Sequence, residues 1–323
     1  MEYRAFGNRG LRVSEIGHGL WGMGDWKDSD DAQSLEALEL SLSLGCNFYD
    51  TAWIYGSGHS EQLLGQLLRN HPDEKIVVAT KVPPKNRKWP ANPQDALEDT
   101  FPSDHIIEYT KRSLENLGID CIDIQQLHVW DDHWAAHPSW QEAAQRLKEE
   151  GLIRQFGLSL NRWEPWNGLQ AIRSGAVDSI QVIYNIFDQA PEDELFPLCQ
   201  QMGVGVIARV PLDEGGLSGK LTQDTRFAAD DWRNGYFGPE NLAETVSRAE
   251  ALKALLPAGM SLAELAMRFS ISHPAVSTSI PGMRKPQHVR QNIAVSDGQA
   301  LPDELLEALR HHRWDRKVAP WSD

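Results

Sequence analysis

The chain has 323 residues, of which 41% are hydrophobic and 24% charged, as is typical of a globular protein with a large core. Its formal net charge of −15 disfavours binding to nucleic acid or to anionic lipid, because the long-range field repels phosphate groups. The sequence lacks an apolar run of about 18 residues that could span a membrane, and it begins without the apolar stretch of a secretory signal.

Three cysteines, Cys46, Cys121 and Cys199, stand at wide and unpatterned spacing. An odd number without a spacing pattern argues against a disulfide framework and for a reducing compartment. We therefore expect a cytoplasmic protein.

The first residues predict a β-hairpin. Two short β-prone runs, residues 3–6 and 11–13, flank a turn in which Asn8 to Gly10 supply typical turn residues. A hairpin in this place could plug the bottom of a barrel.

From residue 15 onward, β-rich apolar runs alternate with longer segments of helical periodicity. The predicted strands cover residues 15–21, 46–50, 75–80, 121–127, 153–159, 178–184, 203–209 and 275–280. The predicted helices cover residues 30–44, 59–70, 104–117, 139–150, 163–173, 191–202, 261–272 and 286–294. This alternation indicates an α/β fold, and its count favours a (β/α)8 TIM barrel with long βα loops over an open doubly wound sheet. We expect one domain over residues 1–323.

Gly17, Gly19 and Gly22 spell G-x-G-x-x-G, the pattern of a dinucleotide-binding turn. That turn opens directly into a helix, whereas these glycines fall within or at the end of a predicted strand, and the next helix begins only after Ser29. We interpret them as places where backbones approach closely at a barrel mouth.

Four side chains with acid–base chemistry stand at three successive predicted strand ends, where barrels carry their active sites. Asp50 ends the second strand with Tyr55 shortly after it, Lys81 ends the third, and His128 follows the fourth. Singly, each could be a helix cap or a solvated loop residue. Together they indicate one catalytic site.

This set suits proton transfer to a carbonyl oxygen. A free tyrosine has a pKa of about 10, and a nearby ammonium favours the phenolate and lowers that pKa. We expect Asp50 to orient the Lys81 ammonium and His128 to hydrogen-bond the carbonyl, with Tyr55 as the general acid–base.

The segments around these residues resemble the aldo-keto reductase superfamily. The resemblance covers nearly the whole chain and is carried by FYDTAWIYGSGHSEQLLG, ATK, QLH, GLSLN, QVIYN and SIPGMRKPQHVRQN. It implies a barrel with a nicotinamide cofactor, Tyr55 as the proton donor, Lys81 and Asp50 as the groups that tune it, and His128 as the residue that orients the carbonyl.

Amide and hydroxyl side chains follow the fifth strand and lie in the sixth, and they suit a carboxamide, which offers donors and an acceptor. By resemblance, Ser159, Asn161 and Gln181 match the family's contacts to the nicotinamide carboxamide. Asn161 stands one residue further from Ser159 than in the commonest form of the family.

The glycine-rich segment 209–220 resembles the family's pyrophosphate-covering loop. We expect Leu212 near its start, and Gly219 and Lys220 at its end, to contact the cofactor. Asp213 and Glu214 depart from the small residues usual there, and their carboxylates would oppose phosphate unless they point away.

A helix N-terminus with several cations follows the eighth strand and suits an anion. In an acidic chain this local positive charge favours NADP(H), with its 2′-phosphate, over NAD(H). The expected contacts are Gly282, Arg284 at the phosphate or adenine face, His288, and Asn292 at the adenine edge.

Arg209 stands where many members of the family place an aromatic residue against the nicotinamide. Its planar guanidinium can stack, but its charge disfavours the oxidised, cationic ring. Arg209 therefore suggests either a bias toward reduced cofactor or an epimerisation or elimination on retained cofactor. A non-catalytic regulatory barrel is a third reading, and the intact set of four residues speaks against it.

Several of the chain's 12 tryptophans fall on predicted mouth loops: Trp21, Trp26, Trp53, Trp89, Trp130 and Trp134. Indole faces suit sugar, steroid or aromatic ligands, and with Asp131 and Asp132 as hydroxyl acceptors they favour a small polyhydroxylated carbonyl substrate. We expect the segment 82–103 to form a wall or a lid. His133 and His137 lack further ligands, so we expect no metal.

Overall fold

The computed structural model of the chain describes residues 1–24, 29–314 and 316. In these residues the strands are β1 (Tyr3–Phe6), β2 (Leu11–Ser14), β3 (His18–Gly19), β4 (Phe48–Asp50), β5 (Val77–Val82), β6 (Ile122–Leu127), β7 (Ile153–Ser159), β8 (Ser179–Ile183), β9 (Gly205–Arg209) and β10 (Val276–Ser279). The helices are α1 (Asp31–Ser43), α2 (His59–Asn70), α3 (Leu97–Thr100), α4 (Ser103–Leu117), α5 (Pro138–Glu149), α6 (Leu169–Arg173), α7 (Leu195–Met202), α8 (Arg233–Leu252), α9 (Leu262–Ser272), α10 (Pro286–Ile293) and α11 (Asp303–Arg310).

The eight parallel strands β3 to β10 lie side by side in chain order, and the two ends of the sheet meet. The backbone N–H of Gly17 donates to the carbonyl of Ser279 at 2.8 Å, and the N–H of Ser279 donates to the carbonyl of Glu15 at 2.9 Å. Further along, Gly19 N donates to Pro281 O at 3.0 Å. The predicted (β/α)8 barrel is confirmed, and the open sheet is wrong.

Gly17 and Gly19 serve this closure, whereas a Cβ atom on Gly22 would meet only the Arg284 side chain at 3.5 Å, so close approach is not required at that position. A Cβ atom on Gly17 would lie 2.7 Å from a ring carbon of Phe48, and one on Gly19 would lie 3.0 Å from the carbonyl oxygen of Ile280. Side chains must be absent where the first and last strands come together, as the reading of close backbone approach requires.

The N-terminal hairpin β1–β2 closes the bottom of the barrel, as predicted. Asn8 N, in its turn, donates to the carbonyl of Gly203 just before β9, at 3.0 Å. The Phe6 ring is fully buried and lies 5.9 Å from the ring of Phe48. The inner core of the barrel consists of both rings and six further buried side chains: Phe6, Val13, Phe48, Val77, Ala79, Ile124, Ile207 and Ile280.

The outer layer differs from the prediction in three helices, and the short helix α3, within the segment expected to form a wall or a lid, was not predicted. The helix α8 was missed because glycines at positions 235 and 238 hide its period, and the helix is interrupted at Gly238, where φ is 58°. The predicted helix 163–173 shrinks to α6, because Trp163 has φ of 58° and Pro165 follows it. The helix α11 was also missed.

None of the described helices is long and apolar enough to cross a membrane. The expectation of one domain over residues 1–323 stays a prediction, since the last residues fall outside the described part of the chain.

Candidate active site

A cavity of about 660 Å³ opens at the carboxyl ends of the barrel strands. The four side chains predicted to act together all line it. Asp50 is the last residue of β4, Lys81 lies in β5, and His128 follows β6 directly. Tyr55 lies on the loop between β4 and α2. Adjacent parallel strands therefore bring the four groups to one face.

A buried ion pair forms the floor of this site. The Lys81 ammonium donates to Asp50 Oδ1 at 2.6 Å and to the carbonyl oxygen of Thr51 at 2.7 Å. The Lys81 and Asp50 side chains are 1% and 4% exposed. Charges taken this far out of water are tolerated only with close partners, so each holds the other in place.

The Tyr55 ring lies beside this pair, with its centroid 5.2 Å from Lys81 Nζ. Burial raises the pKa of the Tyr55 phenol, while the charges of Lys81 and Arg209 lower it. The net pKa shift is upward, so the phenol holds its proton at neutral pH. The predicted lowering by Lys81 is present, but burial outweighs it.

The His128 imidazole packs edge-on against Tyr55, with ring centroids 5.6 Å apart. Burial, followed by the charges of Lys81 and Arg209, lowers the pKa of His128 well below its ordinary value. A neutral imidazole carries one donor and one acceptor nitrogen, so at neutral pH His128 can hydrogen-bond a carbonyl oxygen without transferring a proton to it.

Most of the predicted cofactor residues line the same cavity: Ser159, Asn161, Gln181, Arg209, Leu212, Gly282, Arg284 and His288. The amide oxygen of Gln181 is buried and accepts no hydrogen bond from the described residues, so it can take a donor from a bound group. Gly219 and Lys220 are exposed beyond the cavity, and Asn292 is buried on α10; these three do not line it.

The Asn161 amide makes three hydrogen bonds within the described residues. Its Oδ1 accepts from the backbone N–H of Ala91 at 3.1 Å, and its Nδ2 donates to the carbonyl of Ala91 at 3.0 Å and to Glu164 at 3.1 Å. Through these hydrogen bonds to the backbone of Ala91, the amide fixes the segment between β5 and α4. Asn161 also lines the cavity, and its amide oxygen has a second lone pair, so its contact to a carboxamide stays a prediction.

That segment forms the predicted wall, since Trp89 and Pro90 line the cavity. Trp21 and Trp89 both line it and are each 38% exposed. Trp26 lies outside the described residues.

Two predicted substrate tryptophans do not reach the cavity. Trp130 is fully buried, and its indole N–H donates to Asp132 at 3.0 Å. Trp53 packs edge-on against Tyr109, with ring centroids 4.7 Å apart. We therefore correct both assignments: Trp130 belongs to the core and Trp53 to the contact with α4.

The two carboxylates that were expected to accept hydrogen bonds from substrate hydroxyls already accept hydrogen bonds from backbone N–H groups. Asp132 accepts from the backbone N–H groups of Gln170 and Ala171 at the start of α6, at 2.6 and 3.0 Å. Asp131 accepts from the backbone N–H of His133 at 3.0 Å. Neither carboxylate is therefore placed to accept a hydrogen bond from a substrate hydroxyl in the cavity. Among the described residues, no group of three potential ligands could hold a metal ion.

Three further wall residues escaped the sequence analysis: Arg162, Trp232 and Tyr236. The Arg162 guanidinium lies between two rings, 3.5 Å from the centroids of both Trp163 and Tyr236. Trp232 and Tyr236 lie at the start of the helix α8, whose glycines hid it. Arg162 follows the carboxyl end of β7, and that position alone could have indicated that it lines the cavity.

The two acids after β9 point to different places. Asp213 is fully buried and accepts from the Tyr236 hydroxyl at 2.6 Å, away from the cavity. Glu214 is half-buried and lines the cavity. Burial and the charge of Asp213 raise the pKa of Glu214 to about 7, against the opposing effect of Arg162 and Arg209.

Comparisons with known proteins agree with this geometry. Residues 15–313 match the model of the aldo/keto reductase family. The chain is 29% identical to the NADH-specific methylglyoxal reductase of Escherichia coli strain K12, over 92% of this chain and 98% of the relative. Among solved structures, it is 28% identical to the holo form of the aldo-keto reductase AKR11C1 from Bacillus halodurans, with a TM-score of 0.78 over 99% and 97% of the two chains. An aldo-keto reductase from Klebsiella pneumoniae in complex with NADPH is 27% identical, with a TM-score of 0.71 over 99% and 98%.

The buried ion pair yields a stability prediction. Lys81→Met leaves the Asp50 carboxylate buried without its cation and should lower the free energy of unfolding by about 3–5 kcal/mol, measured by urea denaturation. Combining it with Asp50→Asn should cost less than the sum of the two single changes. As a control, Arg112→Met removes the partner of Glu108 on the surface of α4 and should cost no more than about 0.5 kcal/mol. Strictly additive costs would argue against mutual dependence.

Proposed function

The chain belongs to the aldo-keto reductase family of oxidoreductases, and we propose that it interconverts carbonyl and alcohol groups with NADP(H), using Tyr55 as the general acid–base. The observation that carries this proposal is the buried Lys81–Asp50 pair beside Tyr55 and His128 in the barrel cavity. The three free cysteines support the cytoplasm as its compartment.

The four residues divide the work of a carbonyl reduction. His128, neutral because of its lowered pKa, donates a hydrogen bond to the carbonyl oxygen and fixes its direction. Tyr55, protonated because of its raised pKa, gives its proton to that oxygen as negative charge develops there. Lys81 stabilises the phenolate left behind, and Asp50 keeps the ammonium in place. When bound, the nicotinamide supplies the hydride.

Two features support the choice of cofactor. The buried amide oxygen of Gln181 can accept a hydrogen bond from the NH2 group of a carboxamide. Ser159 pairs with Gln181 in the adjacent strand and also lines the cavity. Arg284 lines the cavity just before Lys285 caps the helix α10, where cations and N–H groups attract a phosphate. The comparisons include both an NADPH complex and an NADH-specific relative, so the 2′-phosphate is the point to test.

For the substrate, we propose a carbonyl compound with a flat or apolar face. Trp21, Trp89 and Trp232 line the cavity, and the rings of Trp21 and Trp232 lie 4.8 Å apart. This aromatic wall supports ring or alkyl substrates and also the apolar face of a sugar. Since Asp131 and Asp132 are committed elsewhere, a polyhydroxylated substrate has weaker support.

Arg209 supports a second candidate, a reaction without net oxidation on retained cofactor. Its Nη2 donates to the carbonyl oxygen of Leu160 at 3.0 Å, so the cation is held in the cavity wall. A fixed positive charge beside the nicotinamide would disfavour the oxidised ring, so a retained cofactor would rest in its reduced form. A redox-neutral turnover would then begin with hydride transfer to a substrate carbonyl and end with return of the hydride to the cofactor. Cofactor that survives purification, with turnover that leaves its redox state unchanged, would favour this candidate.

Cofactor binding is the first test. Tryptophan fluorescence quenching should show saturable NADPH binding, and Arg284→Ala should weaken it by about 10- to 100-fold while changing NADH binding little, because only NADPH carries the 2′-phosphate. Arg290→Ala, on the exposed side of the same helix, is the matched control and should change neither. Equal loss for both cofactors in Arg284→Ala would remove the phosphate role. Failure of the parent protein, shown to be free of carried-over cofactor, to bind NADPH or NADH would overturn the redox proposal.

The role of Tyr55 has its own test. Tyr55→Phe should lower kcat for carbonyl reduction by about 10²- to 10⁴-fold, because the general acid is lost, and leave the Kd for NADPH unchanged. The raised pKa of Tyr55 predicts that reduction by the parent protein persists through neutral pH and falls only above the ordinary tyrosine value of about 10. Tyr109→Phe, a buried tyrosine outside the cavity lining, is the control. Full activity of Tyr55→Phe would exclude the assignment.

Glu214 should make the preference for reduced cofactor depend on pH. Above about pH 7 the Glu214 carboxylate is charged and offsets Arg209, so the ratio of the Kd for NADP⁺ to the Kd for NADPH should fall as pH rises through 7. We expect roughly a 3- to 10-fold change, as for about 1 kcal/mol of interaction between partly shielded charges. Because NADP⁺ and NADPH carry the same phosphate groups, any effect of pH on phosphate binding cancels in this ratio. Glu214→Gln should flatten the dependence, whereas Glu250→Gln, on exposed α8 surface, should not; a slope that survives in Glu214→Gln would refute this role.

A further inference from the structure

Behind the cavity wall lies a second cluster of buried charges that the reaction does not use. Arg316, near the C-terminus, has its Nη1 2.7 Å from Asp213 Oδ1 and its Nη2 3.0 Å from Asp188 Oδ2. The three side chains are 1%, 0% and 8% exposed. Arg316 thus bridges two carboxylates on different loops, after β9 and after β8.

Arg316 keeps its charge in spite of its burial. Burial alone would lower the pKa of the Arg316 guanidinium, but Asp188 and Asp213 raise it above its ordinary value. The aromatic rings of Trp314 and Phe187 lie 4.8 and 5.6 Å from the guanidinium carbon and exclude water. Such an arrangement contributes fixed geometry more than stability.

One end of this bridge is anchored to the barrel. Asp188 Oδ2 also accepts from Asn185 Nδ2 at 2.8 Å, and Asn185 follows the strand β8 closely. The same Asn185 amide donates to the carbonyl oxygen of Val210 at 3.1 Å. Asp188 therefore belongs to a network that starts on the barrel frame and already touches the loop after β9.

The other end holds a strained loop. Between Val210 and Glu214, three residues without glycine's freedom have positive φ: Val210 at 58°, Asp213 at 49° and Glu214 at 51°. Such conformations persist only where the surroundings hold them. Leu212, Glu214 and Gly215 of this loop line the cavity, and Asp213 turns inward to Arg316.

Asp213 also ties the helix α8 to this bridge. Its Oδ1 accepts a hydrogen bond from the Tyr236 hydroxyl at 2.6 Å and forms the ion pair with the Arg316 guanidinium. Tyr236 lines the cavity and stacks on Arg162, another wall residue, at 3.5 Å. Displacement of Arg316 would therefore loosen the loop and the neighbouring wall together.

We propose that Arg316 is a positioning residue for the cofactor: by bridging Asp188 to Asp213, it holds the loop 210–219 closed on the cavity and sets cofactor affinity and release. The inference rests on the proposed function, because the loop has this role only if NADP(H) binds in the cavity. Arg316 does not line the cavity itself and contributes no group to proton transfer.

The test compares Arg316→Ala and Arg316→Lys with Arg313→Ala. Arg313 lies near Arg316 in the same segment and pairs with Asp193 at the surface, 2.7 Å away, so its removal is the matched control. The measurements are the Kd and dissociation rate of NADPH, followed by tryptophan fluorescence, and kcat at saturating NADPH.

Arg316→Ala should raise the Kd for NADPH by roughly 5- to 100-fold, mainly through faster dissociation, and change kcat at saturation much less. Arg316→Lys keeps the charge but loses the two-pronged geometry and should fall between Arg316→Ala and the parent protein. Arg313→Ala should leave Kd within about 2-fold, as for a surface ion pair.

An unchanged Kd in Arg316→Ala, or equal changes in Arg316→Ala and Arg313→Ala, would overturn the proposal while the proposed function stands. If Arg316→Ala does not fold, Arg316→Lys decides: a Kd equal to that of the parent protein overturns the proposal, and a raised Kd with a kcat near that of the parent supports it. Absence of NADPH and NADH binding in the parent protein would instead refute the proposed function.

Discussion

The ion pair between Lys81 and Asp50 is the constraint on which the geometry of the site depends. Two charged groups buried in a barrel are stable only at close range, and the pairing of β4 with β5 provides that range. The adjacent strands place both side chains at one mouth of the barrel, and the carbonyl of Thr51 takes a further hydrogen bond of the ammonium. An ammonium fixed in this way acts on the pKa of both Tyr55 and His128.

Burial and that fixed charge together set the protonation states of His128 and Tyr55. The Lys81 charge opposes protonation of His128, which burial already disfavours, so the imidazole is neutral. Burial raises the pKa of Tyr55 and keeps the phenol protonated, while the Lys81 charge lowers that pKa and so stabilises the phenolate that remains after the proton has left. Arg209 acts on both groups in the same direction. Burial and the two cations together thus leave a neutral imidazole beside a protonated phenol, as the proposed mechanism requires.

The sequence was sufficient for the barrel and for the four central residues because both follow from periodicity. Strands alternating with helices predict a closed parallel sheet, and the ends of successive strands must then meet at one mouth. The walls do not follow from periodicity. Trp130 and Trp89 look alike in the sequence, yet one is buried and the other lines the cavity, since side-chain direction in a loop depends on contacts far along the chain. Asp132 likewise accepts a hydrogen bond from the start of α6, from a residue 38 positions further along the chain, and no local sequence pattern predicts that contact. Arg316 is still further from its partner Asp188, at a separation of 128 residues.

The acids after β9 show how such distant contacts decide the chemistry of a loop. Two adjacent carboxylates would repel the phosphates of a cofactor if both faced it with full charge. Asp213 instead turns inward, where Arg316 and the Tyr236 hydroxyl satisfy it, and its charge raises the pKa of Glu214 to a value near neutrality. At neutral pH the carboxylate that faces the cavity is therefore only partly charged, and Arg162 and Arg209 oppose what charge it has. The two acids after β9 are thus compatible with the phosphates of the proposed cofactor, because Arg316 holds the Asp213 carboxylate away from the cavity.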